Sequence, residues 1–387
     1  MNKNRTKNPK AEQRRLLFCY TILKPLVIAF LYLRFGYRFK KAKKLPDSYI
    51  VLSNHVTDFD PLFVHVSFPK PIYFVASEHI SRWKNAYKFI KFAFEPILRP
   101  KGTLATGTVM EILRKVKKGG RVAIFAEGMR SWDGCTNPIA PSTAKLIKSA
   151  KCGLVTYKLT GGYFVSPGWS EKSLRRGPIS GAPVGFYSAE ELEKLSVDEI
   201  YEIICRDLSE DAYQKQLAAP KIYHSKKRAH RLENLLFHCE NCGSYDSYVS
   251  DKDQVRCQKC DHTLTIDPSG MLTGGKDKTV KDLSDRMKRQ AVADVNSNVA
   301  YTANSAVLST VKDHVETVVA SGEFSISPDG ITCSELFIPM KSISDLSIHG
   351  KHALVFSADK NYYEAIIDSS SNAYKFFLYY RAYKNII

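Results

Sequence analysis

The first 44 residues are almost without negative charge: Glu12 stands alone against thirteen lysines and arginines. They also lack a clean spanning segment. The apolar run from Leu16 to Leu33 is broken by Lys24 and Pro25 and falls short of the roughly twenty uninterrupted residues that cross a bilayer. No small-residue cleavage site follows it, which speaks against a secretory signal. The chain has no internal repeat, so solenoid and propeller architectures are excluded. Cysteines are scattered singly at 19, 135, 152, 205 and 333, a usage that argues for a reducing compartment rather than a disulfide scaffold.

With 387 residues, 44% of them apolar, the chain is globular and long enough for two or three domains with a substantial core. Its formal charge of +18, with 21 tyrosines and 20 phenylalanines, points to an anionic partner met by an aromatic-rich surface. About two-thirds of that charge lies in residues 1–44, on both sides of the apolar run (Arg14, Arg15; Arg34, Arg38, Lys40, Lys41, Lys43, Lys44). This pattern predicts a helix lying in the headgroup plane of an anionic membrane, each cation contributing on the order of 1 kcal/mol. The alternatives are a helix packed on the protein's own core and, less well supported, a spanning helix. The expected location is the cytoplasmic face of a membrane, peripheral or monotopic.

Two short motifs carry the chemistry. Asn54-His55-Val56-Thr57-Asp58-Phe59-Asp60 follows the apolar run Tyr49–Leu52, and Phe125-Ala126-Glu127-Gly128-Met129-Arg130-Ser131 follows Val122–Phe125. Both therefore stand at the mouth of a buried sheet. Attack by a hydroxyl needs a base as the bond forms, and histidine titrates near the working pH. A carboxylate that fixes its tautomer improves it. Asp58 and Asp60 are both within reach, and Asp58 is also a candidate helix N-cap; spacing alone does not separate them. Arg130, Ser131 and the backbone amides of the second motif suit an anion. No serine or cysteine nucleophile is evident, so direct attack by the acceptor hydroxyl is simpler than a covalent acyl-enzyme.

The first motif resembles the NHx4D motif of the glycerolipid acyltransferases of the 1-acylglycerol-3-phosphate type, and the second resembles their FPEGTRS motif. Pro96-Ile97-Leu98-Arg99 and Gly153-Leu154-Val155-Thr156-Tyr157-Lys158 occupy the places of two weaker family motifs. The resemblance covers roughly residues 45–215. It implies a His55–Asp60 dyad, Arg130 on the acceptor phosphate with Arg99 as a second contact, and Glu127, Gly128 and Ser131 around the acceptor pocket. It also implies an acyl donor, acyl-CoA or acyl carrier protein, and a lysophospholipid acceptor, above all 1-acylglycerol-3-phosphate. Ala126 and Met129 depart from the family's proline and threonine, and the fourth motif lacks its usual proline, so the acceptor head group stays open.

The domain reading is a basic membrane-contact segment (1–44), an acyltransferase domain (45–217), a basic linker (218–236), a zinc ribbon (237–275), a helical linker (276–300) and a PH-like β domain (301–387). The fold class expected for the second of these is α/β, a mainly parallel sheet flanked by helices. Strands are expected at Ile50–Leu52, Ile72–Ala76, Val122–Phe125 and Leu154–Leu159, with helices at Pro61–Ser67, Trp83–Phe94, Thr106–Val116 and Pro141–Ser149. The glycine- and aromatic-rich stretch from Gly161 to Gly177 could bring Trp169 to lipid and Arg175 or Arg176 to phosphate, or form an ordinary hairpin.

Cys239-x2-Cys242 and Cys257-x2-Cys260 are two knuckles at zinc-ribbon spacing, and four thiolates leave no open position for catalysis, so the zinc is structural. Beyond them, short alternating strands (Glu316–Ala320, Gly322–Ser327, Gly330–Phe337, Ile343–Ile348, Ala353–Ser357, Tyr362–Ile367) and a closing helix (Asn372–Tyr383) resemble a pleckstrin-homology-like module. A competing reading is a non-catalytic nucleic-acid-binding or scaffold protein on a degenerate acyltransferase core. The charge argues against it: the excess sits at the apolar N-terminus, while Cys239–Cys260 is nearly balanced, so nucleic acid is not an expected partner.

Overall fold

The computed structural model describes residues 9–99, 106–171, 174–312, 315–368 and 371–387. Residues 1–8 of the basic segment and residues 172–173 of the 161–177 stretch lie outside them. The chain forms two compact units, the first made of residues 1–131, 135–165 and 176–214, the second of 132–134, 166–175 and 215–387.

In the first unit the order is α1 (Pro9–Phe35), β1 (Arg38–Phe39), β2 (Tyr49–Ser53), α2 (Asp60–His65), β3 (Tyr73–Ser77), α3 (Lys84–Phe94), β4 (Ile97–Arg99), α4 (Thr106–Lys117), β5 (Arg121–Phe125), α5 (Ser142–Ala150), β6 (Gly153–Thr160), α6 (Gly162–Val165), β7 (Ser180–Tyr187), α7 (Ala189–Lys194) and α8 (Val197–Leu208). Its seven-stranded sheet runs β1-β7-β6-β2-β5-β3-β4. Strands β6, β2, β5, β3 and β4 are mutually parallel, whereas β7 runs antiparallel to β6 and β1 runs parallel to β7. All five residues of β2 are buried. A strand covered on both faces reads as a continuous apolar run rather than an alternation, which is why β2 and β5 were legible in sequence. Behind β2 and β5, Ile50, Leu52, Val122 and Leu154 pack with Ile112, Ile147, Ile200 and Ile204 of the flanking helices. The unit is thus α/β with a parallel-rich sheet, as expected.

Three strands went unforeseen, one of them the two-residue β1, which pairs with β7. β7 carries Gly181, Pro183 and Gly185, residues that ordinarily mark turns, yet Gly181 leaves room for the hydroxyls of Tyr37 and Tyr157 and Gly185 for Tyr187. β4 is three residues long and gains its place by pairing with β3. The expected helix Pro61–Ser67 is Asp60–His65, one residue earlier at its start.

α1 has two apolar faces. Leu16, Cys19, Tyr20, Leu31 and Phe35 are buried in the first unit, while Phe18, Ile22, Leu26, Phe30 and Leu33 remain exposed along one stripe at i, i+3 and i, i+4 spacings. It is long and apolar enough to cross a membrane, and Pro25 lies inside it without ending it.

In the second unit, β8 (Tyr248–Asp251), β9 (Gln254–Cys257), β10 (Thr263–Ile266) and β11 (Leu272–Thr273) form a small antiparallel sheet. The basic stretch 221–231 is bonded into it, Tyr223 donating to the carbonyl of Pro268 and Arg228 to that of Ile266. The order continues with α9 (Val280–Asn296), β12 (Tyr301–Lys312), β13 (Val315–Ile326), β14 (Gly330–Cys333), β15 (Leu336–Pro339), β16 (Ile343–His349), β17 (Ala353–Ala358), β18 (Asn361–Ile367) and α10 (Ala373–Tyr383). These seven strands form an antiparallel sheet ordered β15-β14-β13-β12-β18-β17-β16.

Nine of the eleven residues of α10 are buried, among them Phe376 and Tyr379. Its Lys375 ammonium is neutralised by Asp246 and capped by the Thr302 carbonyl. Two expected strands, Glu316–Ala320 and Gly322–Ser327, are one strand, β13, that continues through Gly322. Conversely Gly330–Phe337 is two strands, reversed at Ser334, whose φ of +52° is unusual for serine and left no turn signature in the sequence. β12 was not foreseen: its Tyr, Thr and Val residues are interrupted by Ala303-Asn304-Ser305-Ala306, and pairing on both sides holds it.

Candidate active site

Parallel pairing of β2 with β5 sets Ser53 opposite Phe125, so the two motifs leave the sheet side by side at the carboxyl ends of neighbouring strands. This is where open α/β sheets hold their ligands. The motifs are then stitched together through the backbone of His55. Its N–H donates to Glu127 Oε1 at 2.7 Å, and its carbonyl accepts from the Ser131 N–H at 3.0 Å. Asn54 ties the same loop to β6 by exchanging two hydrogen bonds with the backbone of Leu159, at 2.9 and 2.8 Å.

The His55 ring stacks on Phe125, centroids 4.6 Å apart, and its Nδ1 lies 2.8 Å from Asp60 Oδ2. Asp60 is completely buried at the first turn of α2, where the helix dipole favours a carboxylate. Besides His55 it accepts from the N–H groups of Val56 (2.6 Å) and Thr57 (3.0 Å) and from the Thr57 hydroxyl (2.7 Å). A buried charge is tolerable only with such partners. With Nδ1 facing the carboxylate, Nε2 is the ring nitrogen left to take a proton.

Asp58 is neither the helix N-cap, which is Phe59, nor the partner of His55. Its exposed carboxylate accepts from Arg130 Nη1 at 2.7 Å. His65, five residues past Asp60, is no rival base. Complete burial pushes its pKa down to about 3, and its Nε2 accepts from the Ile72 N–H.

Glu127 accepts three hydrogen bonds, from His55 and from the N–H and side-chain amide of Asn137 (2.6 and 2.9 Å). Its burial outweighs them and pushes the carboxyl up to about 8. Gly128 takes φ +71°, a conformation that glycine adopts freely, and so turns the chain from β5 toward Arg130.

His55, Asp60, Glu127 and Ser131 are thus joined directly, while Arg130 is bonded to Asp58 of the same loop. Arg99 ends β4 at the same edge of the sheet, two strands from β5, and among the described residues makes no hydrogen bond to the others. Asn54, Thr57, Asp58 and Asn137 complete the arrangement. Of these, Asn54 and Thr57 lie inside the first motif without an assigned role, and Asp58 was considered there as helix N-cap or partner of His55; Asn137 sits ten residues from Glu127 with no sequence signal at all. Trp169 and Arg175 are buried within the second unit, the Arg175 guanidinium 5.3 Å from the Trp169 ring, which places neither on a lipid or phosphate.

The four cysteines of the second unit lie with their Sγ atoms within 4.8 Å of one another. Cys239–Cys260 and Cys242–Cys257 are 3.7 and 3.8 Å apart, thiols rather than disulfides. Four sulfurs at Zn–S distances of about 2.3 Å around a tetrahedral ion would be about 3.8 Å apart. The two knuckles repeat one geometry. Gly243 and Asp261, each four residues past the knuckle's first cysteine, adopt positive φ and donate their N–H to that cysteine's carbonyl, at 2.9 and 3.0 Å. Tyr248 and Ser247 hydroxyls lie against the sulfurs of Cys239 and Cys257. The donor set fits a zinc ion.

Residues 37–160, which hold both motifs, match the acyltransferase family. This part of the chain is an acyltransferase domain, and the protein is an acyltransferase. Among solved structures, the chain is similar to the 1-acyl-sn-glycerophosphate (LPA) acyltransferase PlsC from Thermotoga maritima, at 18% identity and a TM-score of 0.40, over 56% of this chain and 85% of that one. No curated protein matches it.

Proposed function

We propose that the protein is a membrane-associated O-acyltransferase that moves an acyl chain from a thioester, acyl-CoA or acyl carrier protein, to the free hydroxyl of a lysophospholipid, with 1-acylglycerol-3-phosphate the first acceptor to test and phosphatidic acid its product. The observation that carries this reading is the His55 Nδ1–Asp60 contact of 2.8 Å on a loop bonded directly to the arginine motif. His55 Nε2 takes the hydroxyl proton as the oxygen bonds to the thioester carbonyl carbon. The C–S bond then breaks, and the thiolate leaves with the proton returned from the imidazolium. Asp60 holds the ring and stabilises its charged form.

Arg130 binds the acceptor phosphate, exchanging the carboxylate of Asp58 for the ligand. Arg99, Glu127, Gly128 and Ser131 complete the acceptor pocket. The exposed stripe of α1 and the cations around it lie against anionic lipid on the cytoplasmic face. The test is acyl transfer from labelled acyl-CoA and acyl carrier protein to a panel of lysophospholipids; no product from either donor with folded protein sinks the reading. Replacing Arg130 by Ala should raise the acceptor KM roughly tenfold to a hundredfold, the worth of a hydrogen bond to a charged group, with a smaller change in kcat. An unchanged KM would remove Arg130 from the phosphate.

Cys239, Cys242, Cys257 and Cys260 hold a structural zinc in a ribbon, and the antiparallel domain that follows is PH-like. The ion cross-links two knuckles, Cys239–Gly243 and Cys257–Asp261, that carry no apolar side chain besides the cysteines. Purified protein should carry one zinc per chain by elemental analysis. Cys257→Ser should lose it and expose the 248–273 sheet to hydrogen exchange; full protection without metal would contradict the assignment.

A further inference from the structure

α3 is an unusual surface helix. Trp83, immediately before it, and Phe89 and Phe92 within it are 59%, 55% and 54% exposed, and Ala93 is its only buried residue. Lys84, Lys88 and Lys91 are exposed among them. Three large aromatics held in water are costly unless something covers them.

α3 also packs against α1. Arg15 of α1 bonds Glu95 at the end of α3 at 2.5 Å and lies over the Phe92 ring at 5.1 Å, which brings Phe92 beside the start of the exposed α1 stripe. The two helices therefore present adjoining apolar surfaces, both bordered by cations.

We infer that Trp83–Phe94 is a second membrane-contact element, seated with α1 in the interface of an anionic bilayer. The chemistry of the face selects the occupant. Tryptophan and phenylalanine interleaved with lysines match the boundary where acyl chains meet anionic headgroups. A protein partner or a second copy would have to bury three ammonium groups along with the aromatics. Two adjoining helices fix the orientation of the first unit on the surface, which one helix leaves free to roll. The inference rests on the proposed membrane contact of α1 and adds to it a specific second site.

The chain supplies its own reporter. Of its three tryptophans, Trp132 and Trp169 are buried and only Trp83 is exposed. Binding of the full-length protein to vesicles of phosphatidylcholine with 30 mol% phosphatidylserine should shift its emission to the blue, and brominated acyl chains in the same vesicles should quench it. Trp83→Phe should abolish the quenching while the protein still binds. Phe89→Ser with Phe92→Ser should weaken vesicle partitioning at least tenfold, and Lys84→Gln, Lys88→Gln and Lys91→Gln together should flatten its salt dependence.

Vesicle binding without quenching would overturn the inference, since α3 would then face away from the lipid. So would no binding at all, or a blue shift that follows protein concentration without lipid, which would mark a self-association surface. Acyl transfer to a short-chain, water-soluble acceptor, followed in the same variants, reports on the reaction separately. Its absence in wild type would remove the enzymatic proposal and leave the lipid result standing, whereas its retention in the variants shows that they fold.

Discussion

Replacing His55 with alanine should reduce acyl transfer to background, a loss of about 10² to 10⁴ in kcat from the missing base alone. The protein should stay folded, because the bonds that join the two motifs at this position come from backbone. The N–H to Glu127 and the carbonyl that accepts from Ser131 survive the substitution. What is lost is the ring over Phe125 and the charge-assisted contact with Asp60. Single-turnover acyl transfer read alongside circular dichroism separates chemistry from stability. Activity at the wild-type rate would remove His55 as base.

Asp60→Asn should fall nearly as far in kcat, on the order of 10³ to 10⁴, with acceptor KM little changed. The reason is tautomeric. An amide in place of the carboxylate can donate to Nδ1, which moves the ring proton to Nε2 and leaves that atom unable to accept another; the equivalent change in a serine-protease triad costs about 10⁴. The substitution also strains the loop. Asp60 accepts from Val56, Thr57 and the Thr57 hydroxyl as well as from His55, and an asparagine has one acceptor oxygen for this set of donors. Some loss of thermal stability is therefore expected, with a buried donor left unmatched at about 1–3 kcal/mol. Asp58→Asn is the control: it faces Arg130, so its effect belongs on acceptor binding rather than on the ring. If Asp58→Asn loses kcat while Asp60→Asn does not, the dyad has been assigned to the wrong carboxylate.

The comparison of those two aspartates shows where sequence reading stops. Both lie within five residues of His55, and either can reach it on spacing alone. The start of α2 at Asp60 decides between them, because it buries one carboxylate among backbone donors and leaves the other in solvent. Arg99 tells a similar story from the other side: a basic residue ending an apolar run is easy to find, but its distance from the arginine loop depends on which strands intervene. β3 does, and Arg99 stays outside the bonded network. In the 161–177 stretch, burial of Trp169 and Arg175 removes the expected lipid contact and one of the two candidate phosphate contacts, while Arg176 stays exposed.

Errors in the strands have a common cause. β7 is interrupted by Gly181, Pro183 and Gly185 and β12 by Ala303-Asn304-Ser305-Ala306, so their branched and aromatic residues form no continuous strand signal, and their neighbours supply the pairing. The split of Gly330–Phe337 turned on one serine at positive φ, a conformation that no residue type at that position advertises.

The sequence by itself determined the α/β class of the first unit, the two motifs, the four-cysteine spacing and the cationic apolar N-terminus. All of these are local: runs, spacings and composition that hold whatever surrounds them. Only the tertiary structure decided which carboxylate meets His55, what ties Glu127 in place, and that α1 packs one apolar face inward while keeping a second one exposed beside α3. Those depend on parallel strands that bring residue 53 opposite residue 125, and on burial, which a linear chain does not specify until its distant segments have packed together.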